Sequence, residues 1–147
     1  MRQAEDLYSA LIKTQILLED SDNLLLQQYN LSSSRYYTLV HLDESPGLSQ
    51  NELSERLLCT KGNTTRIVKS MEEDGYLTRQ VDPEDNRALC LYLTPVGEDL
   101  VQRARKAHLE LNTLRFSCLN TSEQGTLQQN LEALNAHLES VVQQQKS

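Results

Sequence analysis

At 147 residues and 38% hydrophobic content the chain can close one modest core, which excludes a large multidomain enzyme. Six Tyr, one Phe and no Trp, with only five Gly and three Pro, favour Leu-rich helices over a sandwich or barrel, so a mostly α fold is expected. The net charge of -7 gives solubility and, as an average, opposes indiscriminate binding of polyanions. Apolar runs such as Leu24-Leu25-Leu26 fall far short of the ~18 residues a bilayer span needs, and Met1-Arg2-Gln3 leads into Glu5-Asp6 rather than an export signal. Cys59, Cys90 and Cys118 are an odd set without a C-x-x-C pair, which fits neither a disulfide framework nor a zinc knuckle. A soluble protein of a reducing cytoplasm, with no membrane partner, is expected.

Along the chain, Leu7, Leu11, Leu18 and Leu25, widened by Tyr8, Ile12 and Ile16, predict a long helix over residues 4–28. Asp20 and Asp22 interrupt its apolar stripe, as either a bend or a separate contact would. Ser32-Ser33-Ser34 predicts a helix start, with Leu31 packing on Tyr36, and a helix to about residue 44 that ends at Ser45-Pro46-Gly47. Ser49-x-x-Glu52 is a capping box opening a short helix that buries Leu53 and Leu57. A further helix starts at Thr60 and buries Thr64, Ile67, Val68 and Met71, spaced i, i+3, i+4, i+7, and Gly75 closes it as a left-handed cap.

From Leu77 the apolar period falls to two. Leu77, Arg79 and Val81, then Leu89, Leu91 and Leu93, predict a two-stranded hairpin with a polar tip at residues 82–87. Thr94-Pro95 starts another helix, whose buried face runs Leu100, Ala104, Ala107, Leu111, Leu114. A break at residues 118–121 precedes a last helix capped by Thr121 or Ser122, frayed from Gln143. Its Leu127, Leu131, Leu134, Leu138 and Val141 make a seam at coiled-coil spacing.

The order helix, short helix, turn, helix, hairpin over residues 32–93 is that of a winged helix-turn-helix, whose second helix enters a major groove. The local charge agrees. Residues 60–71 hold Lys61, Arg66 and Lys69 and no carboxylate, in a chain with 21 acids and 14 bases. Lys61, Asn63, Thr65, Arg66, Lys69 and Ser70 are expected on the outward face, where they can donate to phosphates or read base edges of double-stranded DNA. Arg87 at the hairpin tip is placed to enter a narrow minor groove, with Asp85 orienting it by a charge-assisted bond, although Asp82 and Glu84 beside it would repel phosphate.

The chain resembles the MarR family of bacterial transcription regulators. The resemblance rests on Leu48-Ser49-Gln50-Asn51-Glu52-Leu53, on Thr64-Thr65-Arg66-Ile67-Val68, on Met71 to Arg79, on Asp85-Asn86-Arg87 and on Leu93-Thr94-Pro95-Val96-Gly97. It implies a winged helix-turn-helix lobe at 31–94 and a helical dimerisation region at 1–30 and 95–147. It further implies a homodimer reading a pseudo-palindromic operator, in the role of a repressor, and control by a small effector. Arg87 resembles the family's minor-groove arginine and Asp85 its orienting acid, while Asn63, Thr65, Arg66 and Lys69 fall where its recognition helix faces DNA. Ser54, Thr64 and Met71 depart from the usual Ala, Val and Leu, and Pro83-Glu84 stands where many members carry basic residues.

Residues expected to line an effector pocket are Ile12, Tyr36, Tyr37 and Leu111, all equally at home in a core. Cys59, at the foot of the recognition helix, is a candidate redox site, against the plainer reading of a small buried hydrophobe. His41 and His108 could approach one another, but position 112 is Asn, so neither a metal nor any other cofactor is expected. No triad, paired-carboxylate set or phosphate loop marks an enzyme. The rival reading is a winged-helix protein-interaction module without DNA binding, which the acidic tip would suit.

Overall fold

The computed structural model describes every residue except Cys59 and Thr60, together with the side chain of Lys61. The expected Thr60 helix start and the Cys59 redox candidate therefore lie outside the described residues. The elements in order are α1 (Arg2–Gln27), α2 (Ser33–Glu44), β1 (Leu48–Ser49), α3 (Gln50–Leu57), α4 (Lys61–Glu73), β2 (Leu77–Val81), β3 (Leu89–Leu93), α5 (Pro95–Arg115) and α6 (Thr121–Lys146). The chain divides into two compact units, Met1–His108 and Leu109–Ser147. Among the described residues no helix is long and apolar enough to cross a membrane.

The first unit holds the core and the winged helix. Leu39 and Leu42 of α2, Leu53 of α3, Val68 and Met71 of α4, Leu77 of β2, Leu91 of β3 and Val101 of α5 are all essentially inaccessible to solvent. Each such side chain contributes on the order of 1.5–3 kcal/mol by leaving water. The buried hydroxyls within it are paired: Thr38 donates to the Ser34 carbonyl at 2.8 Å and Ser54 to the Gln50 carbonyl at 3.0 Å. The Ser54 bond explains why a hydroxyl is tolerated where the family usually has alanine, since a buried polar group is costly only when left unpaired.

Helix ends follow the expected chemistry in most places. Ser32 accepts from the Arg35 N–H and Ser49 from the Glu52 N–H, the latter being one half of the capping box expected there. At the end of α4, Gly75 has φ +81°, its N–H reaches the Glu72 carbonyl and that of Tyr76 the Met71 carbonyl, both at 3.0 Å. These two bonds satisfy the last carbonyls and turn the chain into β2. The α3 cap is less comfortable, because exposed Leu58 adopts φ 54°, ψ 36°. A Cβ in this left-handed region meets the following carbonyl oxygen. Leu58→Gly is accordingly expected to stabilise the fold by up to about 1 kcal/mol, read as a raised urea midpoint, and an unchanged or lowered midpoint would refute the strain.

The hairpin pairs Leu77 with Leu93, Arg79 with Leu91 and Val81 with Leu89. One face of it is buried at Leu77 and Leu91 but exposed at Val81 and Leu89, so the far end projects beyond the core as a wing. A third strand, β1, adds Leu48 opposite Leu91 and Ser49 opposite Cys90, which makes the sheet order β1-β3-β2. Periodicity cannot announce a two-residue strand, and none was expected there.

Helix α1 runs without a break, and Asp22 makes the separate contact: its carboxylate oxygen lies 3.0 Å from Nε2 of His108. Three expectations at the other end need correction. Leu114 is exposed rather than buried. The cap of α6 is Asn120, not Thr121 or Ser122, because Asn120 and Glu123 satisfy each other's N–H groups at 2.9 and 2.8 Å. And α6 continues to Lys146 instead of fraying from Gln143.

Candidate nucleic-acid interface

Helix α4 is seated by Thr64, Val68 and Met71, all inaccessible. The 3.6-residue period then turns Thr65, Arg66, Lys69 and Ser70 to solvent, with Asn63 half-buried at the edge. The backbone of Lys61 begins the helix; its side chain is not among those described. Two hydrogen bonds order this face. Arg66 donates from Nη2 to Oδ1 of Asn63 at 3.0 Å, so Asn63 orients the guanidinium. Gln50, the first residue of α3, donates from Nε2 to Oγ1 of Thr65 at 2.7 Å. Gln50 was not expected to take part; its only signal in the sequence was a polar side chain at the amino end of the preceding helix.

The acids that follow the cationic turns are largely neutralised from the side. Arg79 of β2 lies 3.3 Å from Glu72, and Arg35 of α2 bonds Asp74. Positive charge is thus retained at Arg66 and Lys69 while two of the three carboxylates in Glu72-Glu73-Asp74 are paired. Partly exposed pairs of this kind stabilise the fold by less than about 1 kcal/mol each, so their consequence is for the surface potential rather than for stability.

At the wing tip Asp85 bonds the backbone of Arg87 and not, as expected, its guanidinium. Its Oδ1 accepts from the backbone N–H of Arg87 at 3.0 Å, and its carbonyl accepts from Ala88 at the same distance. The carboxylate fixes the turn, and the Arg87 side chain is exposed. Asp82 makes the equivalent bond to the Glu84 N–H at 2.9 Å.

Of the residues expected to line an effector pocket, Tyr37 lines a cavity of about 400 Å³ together with Ser33, Ser34, His41, Arg56 and Leu57. Tyr36 is instead buried, its ring 5.3 Å from that of Tyr37 and 5.5 Å from that of His108, and burial pushes its phenol above the usual range. Ile12 is exposed on α1, and Leu111 is half-buried in the second unit. His41 and His108 serve different neighbourhoods, the cavity and Asp22. The Cys90 thiol is raised by desolvation, with Asp82 and Glu52 adding, which leaves it a thiol rather than a thiolate at neutral pH.

The MarR family model matches residues 29–88, which contain the winged helix except its last strand. The chain is 32% identical over 126 residues to the HTH-type transcriptional regulator PrsX of Escherichia coli, covering 84% of this chain and 76% of that protein. It is also 32% identical over 76 residues to the HTH-type transcriptional regulator BilQ of Clostridioides difficile, a match that spans 52% of this chain and about half, 51%, of that relative. Among solved structures it superposes on the Staphylococcus aureus MepR-DNA complex with TM-score 0.76 at 23% identity, over 89% of this chain and 96% of that one. The architecture described above is therefore the winged helix-turn-helix fold.

Proposed function

The chain belongs to the MarR family, and we propose that it is a sequence-specific regulator of transcription that binds double-stranded DNA as a homodimer on a pseudo-palindromic operator. The observation that carries this reading is the solvent face of α4. Arg66 and Lys69 stand out from a helix whose other side is locked into the core, and the projecting wing presents Arg87. A rigidly seated helix can hold its donors in register with base edges, and a projecting arginine suits the narrow minor groove beside it. The fold's occurrence on DNA in the MepR complex supports the reading.

The homodimer is supported by helices that lack cover within one chain. Not one side chain of the 26-residue α6 is buried, and Leu7, Tyr8, Ile16, Leu17 and Leu24 of α1 are exposed. Most helical stability in proteins comes from packing an apolar face, so both helices call for a second copy. Two winged lobes held about one helical turn apart, roughly 34 Å, would read two half-sites together. In our reading the protein is a repressor, released when a small effector shifts that spacing, and the cavity at Tyr37, His41 and Arg56 is where such a molecule has room to enter.

Fluorescence anisotropy on an operator selected from a random DNA pool tests the proposal. Arg66→Ala and Arg87→Ala are each expected to weaken specific binding by about 1–3 kcal/mol, roughly 5- to 150-fold. Lys69→Ala is expected mainly to lower the slope of log affinity against log salt, by about 0.9. Unchanged affinity in both arginine variants would refute the assignment. Absence of duplex binding by the wild type at low salt, with salt-insensitive capture of a protein instead, would favour an interaction module.

A further inference from the structure

We propose that the cleft between the start of α2 and the flank of α4 seats one backbone phosphate of the bound duplex, with Arg35 of α2 as its anchored cation. The inference rests on the DNA-binding reading above and adds a second element, α2, to the contact surface. The cleft is a shallow, open depression of about 280 Å³, lined by Ser32 and Arg35 on one wall and by Asn63, Arg66, Ile67 and Ser70 on the other. The α4 wall is an i, i+3, i+4, i+7 stripe, so it is the side of the recognition helix rather than its outermost edge. When a helix lies in a major groove its outer edge meets bases, and its sides meet the sugar-phosphate rims.

The chemistry of the lining selects an oxyanion. Two guanidinium side chains and two serines line it, with no carboxylate among them. A guanidinium carries five N–H donors, and phosphate oxygens accept bidentate bonds from it. Arg35 is already held: Nη2 bonds Asp74, the guanidinium carbon sits 5.8 Å from the Tyr76 ring centroid, and only 20% of the side chain is accessible. Such a cation gives up little further rotamer freedom when an anion arrives, unlike a free surface lysine. Arg66 belongs to both the outward face and the cleft, so a phosphate seated here would also fix the arginine that reads bases.

The test compares wild type, Arg35→Gln, Arg35→Lys, Ser70→Asp and Asp74→Asn for binding of the operator and of a scrambled duplex across salt concentrations. Arg35→Gln is expected to lose about tenfold in affinity equally on both duplexes, with the salt slope lowered by about 0.9. Arg35→Lys should keep the slope, and Ser70→Asp, which introduces a carboxylate, should weaken both duplexes alike. Asp74→Asn separates positioning from packing: it breaks the ion pair but spares the cation, so the slope should not fall. If Arg35→Gln and Asp74→Asn behave alike, changing melting temperature but not slope, Arg35 is structural and the phosphate seat is overturned while DNA binding stands. If wild type binds no duplex, both readings fall. Inorganic phosphate that displaces duplex from wild type more than from Arg35→Gln at matched ionic strength would assign the cleft to a free anion and overturn the backbone-phosphate seat.

Discussion

Replacing Gly97 with alanine is expected to destabilise the protein by more than about 3 kcal/mol, a large part of the 5–15 kcal/mol that holds an ordinary domain together. The reason is a backbone contact. A Cβ at position 97 would stand 2.1 Å from the carbonyl oxygen of Tyr76, and 3.0 Å from its carbonyl carbon. That carbonyl cannot simply swing away, because it accepts the Thr94 N–H at 3.0 Å. Thr94 is in turn held twice, its hydroxyl donating to the Gly75 carbonyl at 2.6 Å and accepting from the Gly97 N–H at 3.1 Å. Moving Tyr76 therefore disturbs the Gly75 turn, the first pair of the wing and the cap of α5 at once. The L-T-x-x-G segment is a lock between these three elements. In a chain of this size the melting temperature should fall by about 10 °C, followed by circular dichroism. Gly125→Ala is the control: nothing lies within 4 Å of its Cβ, and it sits in helix α6, so a small gain of about 0.4–1 kcal/mol is expected. A Gly97→Ala protein that melts with the wild type would show that α5 does not approach the turn so closely.

That lock illustrates what the sequence could and could not convey. Thr94-Pro95 announced a helix start and Leu77 to Leu93 a hairpin because local chemistry and period decide both, and the structure has them at those residues. Why glycine was needed at 97 was not legible, since the reason is a carbonyl 21 positions earlier. The same holds for Gln50, which reaches Thr65 across 15 residues, and for the pairing of Arg35 with Asp74 across 39. The exposure of Thr65, Arg66, Lys69 and Ser70 on α4 could be read from their spacing, but not the bonds that order this face, such as Asn63 to Arg66. The cap of α6 shows competition among good candidates. Asn120, Thr121 and Ser122 are all capping residues; Thr121 has Gln124 three positions on, but that amide donates to the carbonyls of Phe116 and Leu119, whereas Glu123 returns the bond to Asn120. Asp85 was expected to hold a guanidinium and holds a backbone N–H instead, because a short acid two residues before an amide closes a turn more readily than it reaches the end of an arginine.

Leu131→Glu combined with Leu138→Glu is expected to turn the protein into a folded monomer and to reduce operator affinity by at least about 100-fold, the low end of what linking two binding modules contributes. Both side chains are exposed in the single chain and belong to the α6 series Leu127, Leu131, Leu134, Leu138, Val141, so carboxylates there cost an isolated chain little. In an interface they would be desolvated without partners, a penalty of several kcal/mol for each charge. A stable interface buries roughly 800 Å² per partner, to which a 26-residue helix carrying an apolar stripe, such as α6, contributes a long face. Sedimentation equilibrium should show half the mass of the wild-type particle with an unchanged far-ultraviolet spectrum. Binding to a single half-site should be preserved, because Arg66, Lys69 and Arg87 are untouched. This separation of half-site from full-site affinity distinguishes a lost dimer from a lost reading head: if the double variant stays dimeric, or a monomeric variant keeps full operator affinity, the seam is not the joint between two DNA-reading lobes.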